Sequence, residues 1–263
     1  MNTIRLKYGV VPAAGKGTRI SQLKYTKILP KPMLPIVGKP ILEYVIENLK
    51  LFGVKEVFII VGYKKETIMD YFEDGSAWDI RIEYVEQKEP LGIAHAIYLA
   101  KDFISEPFVT ILGDDIAIFH RTDVEGIVNT FVSNNAWVVE AVVEELDEEK
   151  LRNSCSVILD QDNRILDIVE KPLYPPSRWR GTGIYIFDSR IFSIIEGLKP
   201  SPPRNELEIT DAIKHVAKRF RKAHAYIMRH SINVNVNMYR DYIEAFNIIL
   251  KLRQNELIKV RTM

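Results

Sequence analysis

The sequence has little that would mark a secreted, membrane-bound or nucleic-acid-binding protein. One cysteine, Cys155, among 263 residues excludes an internal disulfide framework and suits a reducing cytoplasm. The 36 basic and 35 acidic residues give a formal net charge of +1, whereas a nucleic-acid-binding protein normally carries a clear basic excess. No apolar run approaches the ~20 residues that span a bilayer, and the N-terminus has no signal-peptide pattern. We therefore expect a cytoplasmic protein with no nucleic-acid or membrane partner.

Two common phosphate-binding motifs are also missing. A Walker A loop needs Ser or Thr after its Gly-Lys pair, but Lys16 is followed by Gly17, and Gly9 lies too far upstream. The dinucleotide fingerprint is weak because Ile20 stands where a third small residue is needed. A Walker-type ATPase is therefore excluded, and a dinucleotide-binding oxidoreductase is disfavoured.

The most informative stretch, residues 10–19, predicts a buried strand that runs into a turn of small residues. Such a turn lets backbone N–H groups approach a phosphate chain closely. Arg19 and Lys31 follow as cations, and Lys31 is bracketed by Pro30 and Pro32. An ordinary strand-to-helix turn would explain the glycines but not this lysine, so we favour a nucleoside triphosphate as ligand. The candidate nucleotide-binding residues of the turn are Ala14, Gly15, Gly17 and Thr18.

Short apolar runs alternate with helical patterns through the first half of the chain, which predicts an α/β fold with a mostly parallel sheet. Strands are predicted over residues 8–12, 57–61 and 108–112, and the continuous apolar run at 57–61 is expected for a central strand buried on both faces. A long amphipathic helix is predicted from residue 240 to about residue 257. We find no internal repeat or linker, so we expect a single domain.

Polar residues at the carboxyl ends of the predicted strands are the next candidates, since ligands collect there in open α/β sheets. Asp114 leaves a buried strand and is suited to bind Mg²⁺, although an aspartate here also commonly caps a loop. The amide of Gln87 suits the edge of a pyrimidine base, and Gly92 permits close approach before a helix. For His95 we favour a packing role over an acid or base role.

Several fragments occur together in the order found in one enzyme family. They are Gly15-Lys16-Gly17-Thr18-Arg19, Pro30-Lys31-Pro32-Met33, Gln87 with Pro90-Leu91-Gly92-Ile93-Ala94, Leu112-Gly113-Asp114-Asp115, Val169-Glu170-Lys171-Pro172 and Thr182-Gly183-Ile184-Tyr185. From about residue 8 to residue 250 the chain resembles the sugar-1-phosphate nucleotidylyltransferases, particularly the glucose-1-phosphate thymidylyl- and uridylyltransferases.

The resemblance implies a Rossmann-like three-layer α/β/α fold with a mixed, mostly parallel central sheet. It implies one nucleotidyltransferase domain over residues 1–263, with a nucleotide-binding half at 1–145, a sugar-phosphate-binding half at 146–237 and a C-terminal helix at 238–263. It also implies that a sugar 1-phosphate attacks the α-phosphorus of a nucleoside triphosphate and releases pyrophosphate, with Mg²⁺ as cofactor.

The resemblance assigns a role to each matching residue. Arg19 would hold the β- and γ-phosphates and Lys31 the α-phosphate, as the catalytic pair. Asp114 would bind Mg²⁺. The sugar-phosphate residues would be Glu170, Lys171 and Gly183. Without this context, Glu170 and Lys171 would be interpreted as a solvated strand end.

Two departures from the family pattern bear on function. Ser156 replaces a glycine that lies against the sugar in the family, which leaves the identity of the sugar open. Asn235 stands where thymidylyl- and uridylyltransferases carry a second metal-binding aspartate, and Asn237 stands in place of a glycine. An asparagine oxygen can serve as the second ligand but binds Mg²⁺ more weakly than a carboxylate.

Two functional hypotheses follow. The first is an active enzyme that makes a dTDP- or UDP-sugar, with glucose 1-phosphate as the expected acceptor. The second is a non-catalytic, nucleotide-sugar-binding regulatory homologue, which the residues Ser156 and Asn235 favour. Retention of Lys31 and Lys171 favours the enzyme. A homo-oligomer is plausible, and the sequence leaves its stoichiometry open.

Overall fold

A computed structural model of the chain describes residues 4, 6–17, 20, 23–201 and 205–261, with the backbone alone at 24 and 256–261. The strands are β1 Tyr8–Pro12, β2 Pro35–Ile36, β3 Lys39–Pro40, β4 Glu56–Val61, β5 Arg81–Glu86, β6 Phe108–Ile111, β7 Asp115–Ile118, β8 Val138–Glu144, β9 Cys155–Leu159, β10 Ile165–Glu170, β11 Trp179–Phe187, β12 Ala223–Ile227 and β13 Ile232–Asn235. The α-helices are α1 Ile41–Leu51, α2 Lys65–Phe72, α3 Ile93–Tyr98, α4 Arg121–Ser133, α5 Glu148–Arg152, α6 Ile191–Glu196, α7 Ile209–Phe220 and α8 Tyr239–Arg261. Short 3-10 turns cover Lys24–Lys27, Lys31–Met33 and Ser76–Trp78.

Within the described residues, nine strands form one mixed sheet with the order β10-β9-β11-β6-β1-β4-β5, and β8 joins β11 to β12. Strands β6, β1, β4 and β5 run parallel, whereas β11 pairs antiparallel with both β6 and β8. The α/β class, with parallel central strands, is confirmed. Because parallel strands end at one edge, the segments after β1, β5 and β6 meet there.

Helices cover both faces of the sheet. Helices α1, α2 and α4 pack into one hydrophobic cluster with one face, and α3, α6 and α7 pack into a second cluster with the other. In α1 the buried side chains Leu42, Val45, Ile46 and Leu49 follow helical spacing. Each such side chain contributes roughly 1.5–3 kcal/mol when fully buried. The layers are therefore helix, sheet and helix.

A third, smaller hydrophobic cluster lies beside the main sheet. It joins Leu34 and Ile36 to Ile116 of β7, Val234 of β13 and Ala245 of α8. Strands β7 and β13 form their own antiparallel pair, which the sequence did not predict. This cluster holds the turn that carries Lys31 next to β7 and β13. No helix in the described part of the chain is long and apolar enough to cross a bilayer.

Candidate active site

A cavity of about 400 Å³ lies at the carboxyl ends of β1, β5 and β6. It is lined by these predicted site residues: Ala14, Gly15, Gly17, Lys31, Gln87, Gly92, Asp114, Glu170, Lys171, Gly183 and Asn235. Two other predicted residues, Thr18 and Arg19, lie outside the described residues. The structure therefore brings all the described candidates around one space, although they come from widely separated parts of the chain.

The turn after β1 needs small residues because neighbouring segments of the chain lie close to it. Gly17 has φ +62°, and a Cβ there would lie 2.8 Å from Lys31 Cβ. Ala14 is packed against Gly62, whose own Cβ would lie 2.8 Å from Ala14 Cβ. By contrast, a Cβ at Gly15 would meet no atom within 4 Å. The turn thus lies against the Lys31 segment on one side and leaves Gly15 facing open space.

Lys31 is held in the cavity wall by its two flanking prolines. It starts the 3-10 turn Lys31–Met33, directly after Pro30, whose φ is −69°. Lys31 is only 8% exposed, and its ammonium group forms an ion pair with the carboxylate of Asp114. Since an isolated buried ammonium is costly, this pairing compensates its charge when no anion is bound. The arrangement places a cation and an anion in direct contact at the centre of the site.

Asn235 is brought to Asp114 by the unpredicted pairing of β13 with β7. Val236 donates its backbone N–H to the Asp114 carbonyl oxygen at 3.1 Å, and Asn235 lies opposite Asp115 in the strand pair. The Asn235 Oδ1 atom is buried and has no hydrogen-bond partner among the described residues. A buried acceptor without a partner is uncommon and indicates a missing ligand or water.

Beneath this pair lies a buried polar network that the sequence analysis missed. Asn233 Nδ2 donates to both carboxylate oxygens of Asp115 at 2.9 Å. Arg180 donates to Asn233 Oδ1 at 3.1 Å and to Glu145 at 3.3 Å. Burial raises the pKa of Asp115 well above its usual range, and the Arg180 charge opposes this shift. The network fixes β7 and β13 to the main sheet strand β11.

Gln87 and Gly92 form the end of the cavity that was predicted to bind the base. Gln87 Nε2 lies 3.1 Å from the Gly92 carbonyl oxygen and 2.9 Å from His95 Nδ1. Burial lowers the pKa of His95, so the neutral ring that can accept this hydrogen bond is favoured. Gly92 has φ +101°, and a Cβ there would lie 2.5 Å from the Leu207 carbonyl oxygen. His95 thus orients Gln87, in keeping with a packing role.

At the opposite end, Glu170 is the last residue of β10 and Lys171 follows it, and the two side chains form an ion pair at 2.5 Å. Lys171 has φ +44°, a left-handed conformation that is rare for a residue with a side chain. Its backbone N–H donates to the Ser154 carbonyl oxygen at 2.7 Å. Gly183 also has a positive φ, and a Cβ there would lie 2.8 Å from Leu112. The positive φ of Lys171, unlike that of Gly183, is strained, and strained backbone concentrates at functional sites.

The structure alters the expectation for Ser156. Its hydroxyl is fully buried, lies 3.0 Å from the Ser177 carbonyl oxygen and accepts the Ser177 N–H at 3.1 Å. The wall of the cavity in this strand comes instead from Ser154 and Cys155. Ser156 therefore points away from the cavity, because alternate residues of β9 face opposite sides of the sheet.

Glu206 and Glu208 also line the cavity, and the sequence analysis did not select them. Their segment pairs with the Gly92 loop through two backbone hydrogen bonds, from Leu207 to Leu91 at 2.8 Å and from Ala94 to Leu207 at 3.0 Å. The acidic run just before α7 was visible in the sequence. Nothing in the sequence showed that it lies against the loop formed by residues 87–92.

The sequence as a whole matches known proteins. A family model described as Nucleotidyl transferase matches residues 8–251. The chain belongs to the nucleotidyl transferase family. The resemblance drawn from the motifs is thereby confirmed.

Two curated proteins and one solved structure illustrate the similarity. The bifunctional protein GlmU of Methanocaldococcus jannaschii is 39% identical over 209 residues, which are 80% of this chain and 46% of GlmU. The UTP–glucose-1-phosphate uridylyltransferase AglF of Haloferax volcanii is 37% identical over 204 residues, which are 78% of this chain and 81% of AglF. A UDP-glucose pyrophosphorylase crystallised with UDP-glucose superimposes with a TM-score of 0.82 and 31% identity, covering 94% of this chain and 99% of that one. The chain spans about half the length of the GlmU proteins it matches.

Proposed function

We propose that this protein transfers a nucleotidyl group from dTTP or UTP to a sugar 1-phosphate and releases pyrophosphate, with glucose 1-phosphate as the expected acceptor. The observation that carries the proposal is the meeting of Lys31, Asp114 and Asn235 at the centre of one cavity, with Glu170 and Lys171 at one end. The similarity to AglF, a glucose-1-phosphate uridylyltransferase, and to a pyrophosphorylase crystallised with UDP-glucose supports this acceptor.

Lys31 and Arg19 are the proposed catalytic residues. Negative charge builds on the α-phosphate and on the leaving pyrophosphate, so preorganised cations stabilise the transition state more than the substrates. Lys31 is already in position, and it needs only to exchange the carboxylate of Asp114 for a phosphate oxygen. The turn at Ala14, Gly15 and Gly17 would direct backbone N–H groups at the same phosphates. This chemistry requires no covalent intermediate on the protein.

Asp114 and Asn235 are the proposed magnesium ligands. No group of three or more His, Cys, Asp or Glu suited to a metal occurs among the described residues. A carboxylate beside an unpartnered amide oxygen nevertheless fits Mg²⁺, which is usually held by one or two carboxylates together with water and substrate phosphates. When bound, Mg²⁺ would neutralise charge on the phosphate oxygens. Asp114 would then release Lys31 toward the substrate.

Glu170, Lys171 and Gly183 are proposed to bind the sugar 1-phosphate. The Glu170 carboxylate can accept hydrogen bonds from sugar hydroxyls, and the Lys171 ammonium can hold the attacking phosphate. Because the left-handed backbone and the hydrogen bond to Ser154 fix Lys171, little ordering is needed when the sugar phosphate binds.

Gln87 and Gly92 are proposed to bind a pyrimidine base. The Gln87 amide can pair with the polar edge of thymine or uracil, and the Gly92 carbonyl oxygen, which accepts from Gln87 Nε2, holds that amide in place. The two bases differ by one methyl group, for which a pocket discriminates by about 1–3 kcal/mol. Both dTTP and UTP therefore remain in the proposal.

A substrate matrix tests the proposal. The purified protein is mixed with Mg²⁺ and each of the common nucleoside triphosphates. Each mixture is paired with the 1-phosphates of glucose, galactose, mannose and N-acetylglucosamine, and pyrophosphate release is measured. We expect turnover with dTTP or UTP and glucose 1-phosphate. Turnover with purine nucleotides alone would overturn the base assignment.

The alternative, a regulatory homologue that binds nucleotide sugars without turnover, is favoured by the neutral Asn235 in place of a carboxylate. Calorimetry with UDP-glucose and dTDP-glucose separates the two functions. Binding without pyrophosphate release in any combination would support the regulatory function.

A further inference from the structure

A row of polar side chains crosses the sheet directly under the cavity. Tyr185 of β11 lies opposite Thr110 of β6 on one side and opposite Glu140 of β8 on the other. Paired residues of antiparallel strands point to the same face of a sheet, so the three side chains share a face. Tyr185 itself lines the cavity. This face is therefore the one on which the cavity lies.

Glu140 is an unusual member of this row because its carboxyl group is completely buried and incompletely paired. Its Oε1 atom lies 3.6 Å from the Cys155 thiol sulfur, and its Oε2 atom has no hydrogen-bond partner among the described residues. Burial raises the pKa of Glu140 to about 8, and hydrogen bonding to the Cys155 thiol and to the neighbouring Tyr185 hydroxyl opposes this shift. A buried acceptor without a hydrogen-bond partner is destabilising and uncommon, so such a group calls for an explanation.

Only one layer of small groups separates the carboxyl group from the cavity. Cys155 and Gly181 both line the cavity, and both lie against Glu140. A Cβ at Gly181 would lie 2.1 Å from Glu140 Oε1, so the carboxyl group occupies the space of a side chain at that position. Cys155 pairs with Glu170 in the adjacent strand, which places Glu140 beneath the proposed sugar end.

We propose that Glu140 is a sugar-specificity residue, which accepts a hydrogen bond from a hydroxyl or amide N–H group on the ring of the sugar 1-phosphate. This inference rests on the proposed function. The sugar donor would replace the Cys155 thiol, which is only a weak hydrogen-bond donor. Because Gly181 has no side chain, the Glu140 carboxyl group lies close to the wall of the cavity. The site thereby favours sugars that carry a donor at the matching ring position.

Two substitutions of Glu140 test this role. Glu140→Leu removes the acceptor at similar volume, and Glu140→Gln keeps a carbonyl oxygen in the same place. Each variant is assayed for pyrophosphate release with glucose 1-phosphate, its four deoxy analogues at C2, C3, C4 and C6, and N-acetylglucosamine 1-phosphate. Glu144→Leu, an exposed carboxylate on the same strand, is the matched control and should behave as wild type.

Wild type and Glu140→Gln should both disfavour one deoxy analogue by about tenfold or more in kcat/KM. Glu140→Leu should use that analogue as well as it uses the parent sugar, while its preferences at the other ring positions stay unchanged. An equal loss for every sugar in Glu140→Leu, or an unchanged preference, would overturn the assignment. Absence of turnover in wild type would overturn the proposed function instead.

Cys155→Ser provides a second measurement should Glu140→Leu not fold. A serine hydroxyl is a stronger donor than a thiol, so it would occupy Glu140 and compete with the sugar. We expect KM to rise for the parent sugar and to stay unchanged for the deoxy analogue that lacks the matching donor. An equal change in KM for both sugars would contradict the role of Glu140.

Discussion

Lys31 and Asp114 form an ion pair that joins the proline-bracketed turn to the end of β6 across 83 residues of sequence. Each neutralises the other in the absence of ligand, and each has a proposed partner in the substrate complex. Lys31 is buried, whereas the Asp114 side chain is 28% exposed, so loss of Asp114 would leave a buried ammonium group unpaired but loss of Lys31 would leave a carboxylate that water can reach. In the proposed reaction this pair would be exchanged for contacts of Lys31 with phosphate and of Asp114 with Mg²⁺.

Replacing Lys31 by Met should lower kcat strongly with a smaller effect on stability, because Met keeps the buried stem and loses only the charge. One preorganised donor to a transition state contributes about 2.7–4 kcal/mol, so kcat should fall by roughly 10²–10³. Steady-state pyrophosphate release measures this. Lys55→Met, at an exposed lysine on the surface, is the control. A Lys31→Met enzyme with the wild-type kcat would remove Lys31 from the mechanism.

Replacing Asn235 by Asp should strengthen divalent-metal binding, because the neutral amide oxygen is replaced by a negatively charged carboxylate oxygen in the same place. We expect the half-saturating Mg²⁺ concentration to fall by about tenfold, or ~1.4 kcal/mol. Titration with Mn²⁺ in the absence of substrate, followed by electron paramagnetic resonance, gives a readout independent of turnover. Asn129→Asp adds the same charge on the exposed surface of α4 and should change neither quantity. Unaltered metal affinity in Asn235→Asp would exclude Asn235 as a ligand.

Much of the fold could be predicted from the sequence because its central strands are long apolar runs. Strands β1, β4 and β6 lie where their Val and Ile runs predicted them, and the glycines after β1 lie at the cavity. Once the strands were predicted, the motif residues at their carboxyl ends could be selected as site residues. Parallel strands bring these ends to the same edge of the sheet.

The parts that were missed depend on contacts between distant segments. Strand β13 alternates Val with Asn, and its partner β7 lies more than a hundred residues away: Asn233 bonds Asp115 across 118 positions. Glu140 was overlooked because an alternating strand predicts a charged residue on the solvent face. In the structure α7 packs on that face, and β12 pairs with the edge of β8. The residue pattern within one strand does not show which distant segments pack on its faces.

Replacing Gly92 by Ala should destabilise the protein and weaken nucleotide binding. The residue has φ +101°, and the new Cβ would lie 2.5 Å from the Leu207 carbonyl oxygen, a backbone atom that cannot turn aside. We expect a loss of about 1–3 kcal/mol in the free energy of unfolding, with a higher KM for the nucleotide. Gly197→Ala is the control because its φ is −85° and the nearest contact would be 3.6 Å. Equal stability of the two variants in urea denaturation would contradict the prediction.

Asp123 should make the protein sensitive to acid. Burial alone would raise the pKa of Asp123, but hydrogen bonds from Ser231, His230 and Tyr226 outweigh burial and lower it. A carboxyl group with a lower pKa in the folded state stabilises that state above its unfolded pKa of about 3.9. This contribution is lost as the pH falls through the folded pKa.

Asp123→Asn should therefore lower the free energy of unfolding at pH 7 and show a smaller further loss between about pH 4 and pH 3 than wild type does. Denaturation in urea across this pH range measures both effects. Asp162→Asn is a suitable control because Asp162 lies exposed in the turn between β9 and β10. If the free energy of unfolding falls by the same amount in wild type and in Asp123→Asn as the pH is lowered, Asp123 does not link stability to pH. That outcome would hold whatever its hydrogen bonds contribute at neutral pH.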